Sequence, residues 1–62
     1  MSKDQTKKFN KRILIIEDEP SLLRILTDKF TNEGFVALGA GDGMEGLETA
    51  LRDHPDIILL DL

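Results

Sequence analysis

The chain predicts an α/β fold built on a parallel sheet, from three features of its pattern. Two uninterrupted aliphatic runs, Ile13-Leu14-Ile15-Ile16 and Ile57-Ile58-Leu59-Leu60, suit strands covered on both faces, because a half-exposed strand would alternate apolar and polar residues. Between the runs lie two segments whose apolar residues recur at helical spacing. A short strand-like stretch separates those two segments. Strand, helix, strand, helix, strand is an alternation that implies parallel pairing through right-handed crossovers.

Each element has its own local signals. After the first run, Pro20 fits the first turn of a helix, where its missing N–H would be unpaired anyway, and Leu22, Leu23, Leu26 and Phe30 follow at helical spacing. The helix is expected over about residues 20–33, with Gly34 as its stop, since the residue just past a helix often takes positive φ. Phe35-Val36-Ala37-Leu38 predicts the second strand, leading into a glycine-rich turn, Gly39-Ala40-Gly41-Asp42-Gly43. Asp42 and Glu45 stand three apart, the spacing of a capping box. Met44, Leu47, Ala50 and Leu51 mark the apolar face of a second helix that ends near Asp53-His54-Pro55, where proline forbids continuation. Met44 is expected to pack on the sheet and His54 to occupy a surface turn. The third strand begins at Asp56.

Composition narrows the function classes. The chain has 62 residues, 40% hydrophobic and 32% charged, which is one small globular domain and not a disordered composition. No apolar run approaches the ~20 residues of a membrane span, and the N-terminus lacks the apolar centre of a signal peptide, so the expected location is cytoplasmic. With no cysteine and one histidine, disulfides and thiolate metal sites are excluded and a zinc site is disfavoured. Any bound metal is expected to be oxygen-ligated. Charge is uneven: Lys3, Lys7, Lys8, Lys11 and Arg12 face only Asp4 in the first twelve residues, while the remainder holds three basic residues against eleven acids. Residues 1–10 are expected to be a basic, flexible leader, and the acidic body argues against nucleic-acid binding.

The acids that tip the two runs are the chemical candidates. Glu17 and Asp18 follow the first run and Asp61 follows the last. The third strand can add beyond the second or return to the far side of the first. In the latter order, 2-1-3, a switch point forms between strands one and three, and ligands of open α/β sheets sit outside the strand carboxyl ends at such points. Adjacent strands are ~4.8 Å apart, and two unit charges at 4 Å repel by about 4 kcal/mol at an effective dielectric of 20. Three carboxylates gathered there need either a hard divalent cation such as Mg2+ or a proton on one of them. The plain alternative is that Glu17, Asp18 and Glu19 solvate a strand end and favour a helix N-terminus through its dipole.

Taken together, Ile-Leu-Ile-Ile-Glu-Asp-Glu-Pro at 13–20, Asp-Gly-Met-Glu-Gly-Leu at 42–47 and Pro-Asp-Ile-Ile-Leu-Leu-Asp-Leu at 55–62 resemble the N-terminal half of a two-component response regulator receiver domain. The resemblance covers nearly everything after the leader and implies residues 11–62 as a truncated receiver domain, half of a flavodoxin-like doubly wound parallel sheet with strand order 2-1-3. It implies a phosphorelay role in which Asp61 accepts a phosphoryl group from a sensor histidine kinase. It also implies Mg2+ held by Glu17, Asp18 and Asp61, with Asp18 ligating directly and Glu17 through water. A phosphoacceptor signalling domain, not an enzyme, is the expectation. Intact receivers continue with two more strands and three more helices, carrying a hydroxyl residue and a lysine at the phosphoryl site. These 62 residues are therefore expected to be poorly active. The carboxylate of Leu62 is expected to add negative charge beside Asp61.

One helix on each face of three strands covers little apolar surface, and the wholly apolar third strand is an open edge, so the chain is expected to self-associate there. An inert oligomerising fragment is the alternative function. Gly41-Asp42-Gly43-Met44-Glu45-Gly46 also matches the G-x-G-x-x-G of nucleotide-binding turns. That match is weak, because Asp42 and Glu45 would put negative charge where a pyrophosphate must sit, and the motif follows the second strand instead of the first.

Overall fold

A computed structural model of the protein describes residues 11–61. The expectations for the 1–10 leader and for the carboxylate of Leu62 lie outside the described residues. The elements are β1 (Arg12–Glu17), α1 (Pro20–Asn32), β2 (Val36–Ala40), α2 (Gly43–Asp53) and β3 (Ile57–Asp61). All pairing is parallel and the sheet order is β2-β1-β3. The third strand thus returns to the far side of the first, the partial flavodoxin-like arrangement that the resemblance implied.

β1 is the centre of the molecule. Ile13, Leu14, Ile15, Ile16 and Glu17 are all buried, as a strand with neighbours on both sides and helices on both faces must be. Alternate residues serve opposite faces. Leu14 and Ile16 join Leu38, Ala40 and Ala50 in the core under α2. On the other face α1 packs close: a Cβ added at Gly39, the β2 partner of Ile15, would touch Leu23 and Thr27 at 3.4 Å. Ile13, Ile15 and Glu17 belong to that α1 face.

The helices begin and end where local chemistry dictates. Glu19 is the N-cap of α1 and its side chain accepts from the Leu22 N–H, with Pro20 at the first helical position. At the other end Gly34 takes φ 102°, the Gly34 N–H donates to the Thr31 carbonyl and the Phe35 N–H donates to the Phe30 carbonyl. That pair of bonds is a Schellman motif, and its usual apolar contact is present as a T-shaped Phe30–Phe35 pair with centroids 5.7 Å apart. In α2, Asp42 caps the Glu45 N–H at 2.8 Å, and Glu45 reaches back to the Gly41 N–H at 2.9 Å. The box is displaced by one residue, since Glu45 bonds the amide before the cap instead of the cap's own. His54 ends α2 in the left-handed region at φ 50°. Arg12 ties the start of the sheet together, its N–H donating to the Asp56 carboxylate and its guanidinium to the Asp53 carbonyl.

Several expectations need correction. β2 is Val36–Ala40 instead of Phe35–Leu38, because pairing with β1 continues through Gly39 and Ala40. The face that α2 buries is Gly46 and Thr49 with Ala50 half-buried, whereas Met44, Leu47 and Leu51 are exposed. Met44 does not pack on the sheet. The small residues win that face because α2 approaches β1 so closely that a Cβ on Gly46 would lie 2.4 Å from Ile16 Cδ1. α1 buries no residue fully: Leu23, Leu26, Thr27 and Phe30 are half-covered, and Leu22 faces solvent. β3 was expected to be covered on both faces, yet Ile57, Ile58 and Leu60 are exposed, because both helices sit over β1 and β2 and neither packs on β3 among the described residues.

Gly46→Ala is expected to destabilise the fold. Overpacking costs about 1–3 kcal/mol and exceeds the ~1 kcal/mol that alanine gains in helix propensity. Ile16→Val, which removes Cδ1, should recover part of that loss in the double variant, while Gly43→Ala, with no atom within 4 Å of the added Cβ, should not destabilise. Urea unfolding of the three variants checks this.

Candidate functional site

The register of the sheet sets the site. β1 and β3 pair from Ile13↔Ile57 through Glu17↔Asp61, so the last residues of the two strands stand directly opposite each other. Both belong to the α1 face at the carboxyl end of the sheet. The strand order reverses between β1 and β3, which makes this edge the switch point where open α/β sheets take ligands. Glu17 is 4% exposed, whereas Asp61 and Asp18 are open to solvent. Asp18 lies in the bend between β1 and α1.

The loop after β1 is held by its own backbone. The Glu19 N–H donates to Glu17 Oε2 at 2.8 Å, and the Glu19 carboxylate accepts from Leu22 at the start of α1. Sequence reasoning placed Glu19 only in a general acid run. Its role as the cap was signalled by its position immediately before Pro20. Asp56, whose carboxylate and N–H bond the N–H and carbonyl of Arg12, was also missed; its signal was an acid at the start of the third strand.

The electrostatics show how crowded the edge is. The strongest influence on the Glu17 carboxyl is the Glu19 amide, which lowers its pKa. Burial, a hydrogen bond with Asp18 and the charges of Asp61 and Asp18 outweigh that donor and raise it above the usual 4.5. Among the described residues, no three His, Cys, Asp or Glu side chains converge closely enough to hold a metal ion. The structure thus brings Glu17 opposite Asp61, with Asp18 the next residue in the chain after Glu17, without drawing all three into one cage. By chemistry the donors fit a hard cation: all are carboxylate oxygens, and among the described residues no lysine or arginine forms an ion pair with Glu17. Mg2+ characteristically takes one or two carboxylates and completes its shell with water.

The glycine turn offers no comparable site. Its Gly41 and Glu45 amides, which a phosphate would need as donors, are already satisfied by Glu45 and Asp42. The third glycine, Gly46, serves the close approach of α2 to Ile16. No helix among the described residues is long and apolar enough to cross a membrane.

Comparison with known proteins gives a consistent result. A family model described as the response regulator receiver domain matches residues 13–62. The chain is 47% identical over 55 residues to a DNA-binding response regulator, MtrA, of Mycolicibacterium smegmatis, covering 87% of this chain and 24% of that protein. It is 38% identical over 54 residues to the alkaline phosphatase synthesis transcriptional regulatory protein PhoP of Bacillus subtilis, covering 87% and 22%. It is 32% identical over 54 residues to sporulation initiation phosphotransferase F of Bacillus subtilis, covering 87% and 44%. The chain therefore spans between about a fifth and under half of these curated relatives. No solved structure matches the chain significantly.

The raised Glu17 pKa fixes the sign of a pH effect. An acid that titrates higher folded than unfolded favours the neutral form on folding, so its contribution is fully present below 4.5 and is lost as pH rises through the raised value. Glu17→Gln keeps an acceptor for the Glu19 amide and cannot ionise. The variant is expected to have a higher Tm than the parent at pH 7 and to lose less stability above pH 4.5. Equal Tm differences between parent and variant at pH 4 and pH 7 would count against the shift.

Proposed function

The chain belongs to the response regulator receiver domain family, and on that premise we propose that Asp61 is the phosphoacceptor of a two-component phosphorelay. The observation that carries this reading is the pairing of Glu17 with Asp61 at the switch point of the sheet. An oxygen of the exposed Asp61 carboxylate attacks the phosphorus of a kinase's phosphohistidine. The O–P bond forms as the N–P bond breaks, and the imidazole leaves with the electron pair and takes a proton from water. A carboxylate is a weak nucleophile toward an anionic phosphoryl group, so positioning and charge neutralisation supply the catalysis. Mg2+ would take one or two of its ligands from Glu17, Asp18 and Asp61 and the rest from water, and when bound it would offset the charge of the acids and of the incoming phosphoryl oxygens. The partner is a sensor histidine kinase and the setting is the cytoplasm.

For these 62 residues we propose weak activity and self-association, with residues 11–62 as the first half of a receiver behind a basic leader. Weak activity follows from charge: the edge carries Glu17, Asp18, Glu19 and Asp61, while Lys29 sits in the last turn of α1, at the far end of the helix from Glu19. Self-association is supported by β3, an edge strand whose Ile57, Ile58 and Leu60 are 43%, 54% and 61% exposed. Edge strands of this kind template pairing with another chain.

Incubation with acetyl phosphate and Mg2+, read by intact mass, is expected to add one phosphoryl group to the parent and none to Asp61→Asn. An equal adduct on both proteins would overturn the assignment of Asp61. In sedimentation, the average mass is expected to exceed the monomer at tens of micromolar and to fall toward it for Leu59→Lys, which puts a charge in the middle of the edge strand. A parent that stays monomeric across that range contradicts the self-association.

A further inference from the structure

Glu19 makes three hydrogen bonds that no cap requires in combination. Its side chain accepts from the Leu22 N–H at 2.8 Å, its carbonyl accepts from the Leu23 N–H at 2.9 Å, and its own N–H donates to Glu17 Oε2 at 2.8 Å. The first two fasten the residue to α1, and the third fastens the buried acid to the residue. The backbone at Glu19 is extended, φ −98° and ψ 113°, as expected immediately before a proline. Pro20 and the helix end therefore fix the direction of the Glu19 N–H independently of Glu17. Glutamate is a poor choice if capping were the only need, because Ser, Thr, Asp and Asn are the preferred N-caps.

We propose that Glu19 is a positioning residue for the acid pair: by clamping its backbone to the first turn of α1, it aims a fixed N–H at Glu17 and so sets the direction of the carboxylate that stands opposite Asp61. The proposal rests on the reading of Glu17 and Asp61 as parts of one phosphoryl and Mg2+ site. Through it, the first turn of α1 becomes the support of that site, although it supplies none of the acids. A residue acting merely as a cap would affect helix stability and leave the direction of Glu17 unchanged.

The test uses the full chain in four forms: parent, Glu19→Ala, Glu19→Asp, and Asp42→Ala, which removes the cap of α2 away from the acids. Three quantities are read: thermal stability, exchange of the residue 19 amide without metal, and Mn2+ binding from paramagnetic broadening at Glu17 and Asp61. Both alanine variants are expected to lose comparable stability. Only Glu19→Ala should speed exchange at residue 19, by about fivefold for the loss of a typical cap, and weaken Mn2+ binding to a similar degree. Glu19→Asp, which restores a capping carboxylate, should recover both. If residue 19 exchanges at the parent rate in Glu19→Ala, Glu19 is a cap alone and the proposal fails. If Glu19→Ala exchanges faster but the parent binds no Mn2+, the metal reading fails while the positioning of Glu17 stands.

Discussion

The parallel register between β1 and β3 is the constraint on which the rest of the structure depends. β1 is buried on both faces and paired on both edges, so its register cannot slip by one residue without sending its aliphatic side chains to the wrong helix. Because Ile13 pairs with Ile57, Glu17 must stand opposite Asp61 four residues later. The site is a consequence of how the aliphatic core is aligned. Two hydrophobic runs of equal length, each ending in an acid, deliver their acids to the same point when they lie side by side.

That placement costs stability. A carboxylate at 4% exposure facing one acid and adjoining another would leave the sheet end if it were free to do so. It is held by the covalent continuity of β1 on one side and by the Glu19 amide on the other. Groups that burial and like charge push away from their ordinary pKa, and that stay in place nonetheless, are characteristic of functional edges. The other described residues show no comparable conflict. Its helix ends, its Schellman motif and its Arg12–Asp56 clasp are locally satisfied.

Much of this was legible in the sequence because the signals were local and independent. Pro20, Gly34 and Pro55 punctuate the helices, and the aliphatic runs identify the strands that flank the site. Periodicity was less informative for α2, because it ranks residues by hydrophobicity, whereas the close approach of the helix to Ile16 demands small ones. Gly46, Thr49 and Ala50 therefore line the sheet, and Met44, Leu47 and Leu51 do not. β3 misled for a related reason: an apolar run records the covering a strand is suited to, and the two helices present cover only its neighbours. The acids themselves were legible, but the hold of Glu19 on Glu17 was not, since a backbone donor leaves no mark on residue type.

Register forces Glu17 and Asp61 to share one electrostatic environment. Carbon-detected NMR titration of the Glu17 carboxyl, in the parent and in Asp61→Asn, tests it most directly. Glu17 is expected to titrate above 4.5 in the parent and to move down when Asp61 loses its charge. A Glu17 that titrates in the ordinary carboxylate range and ignores the substitution would contradict it.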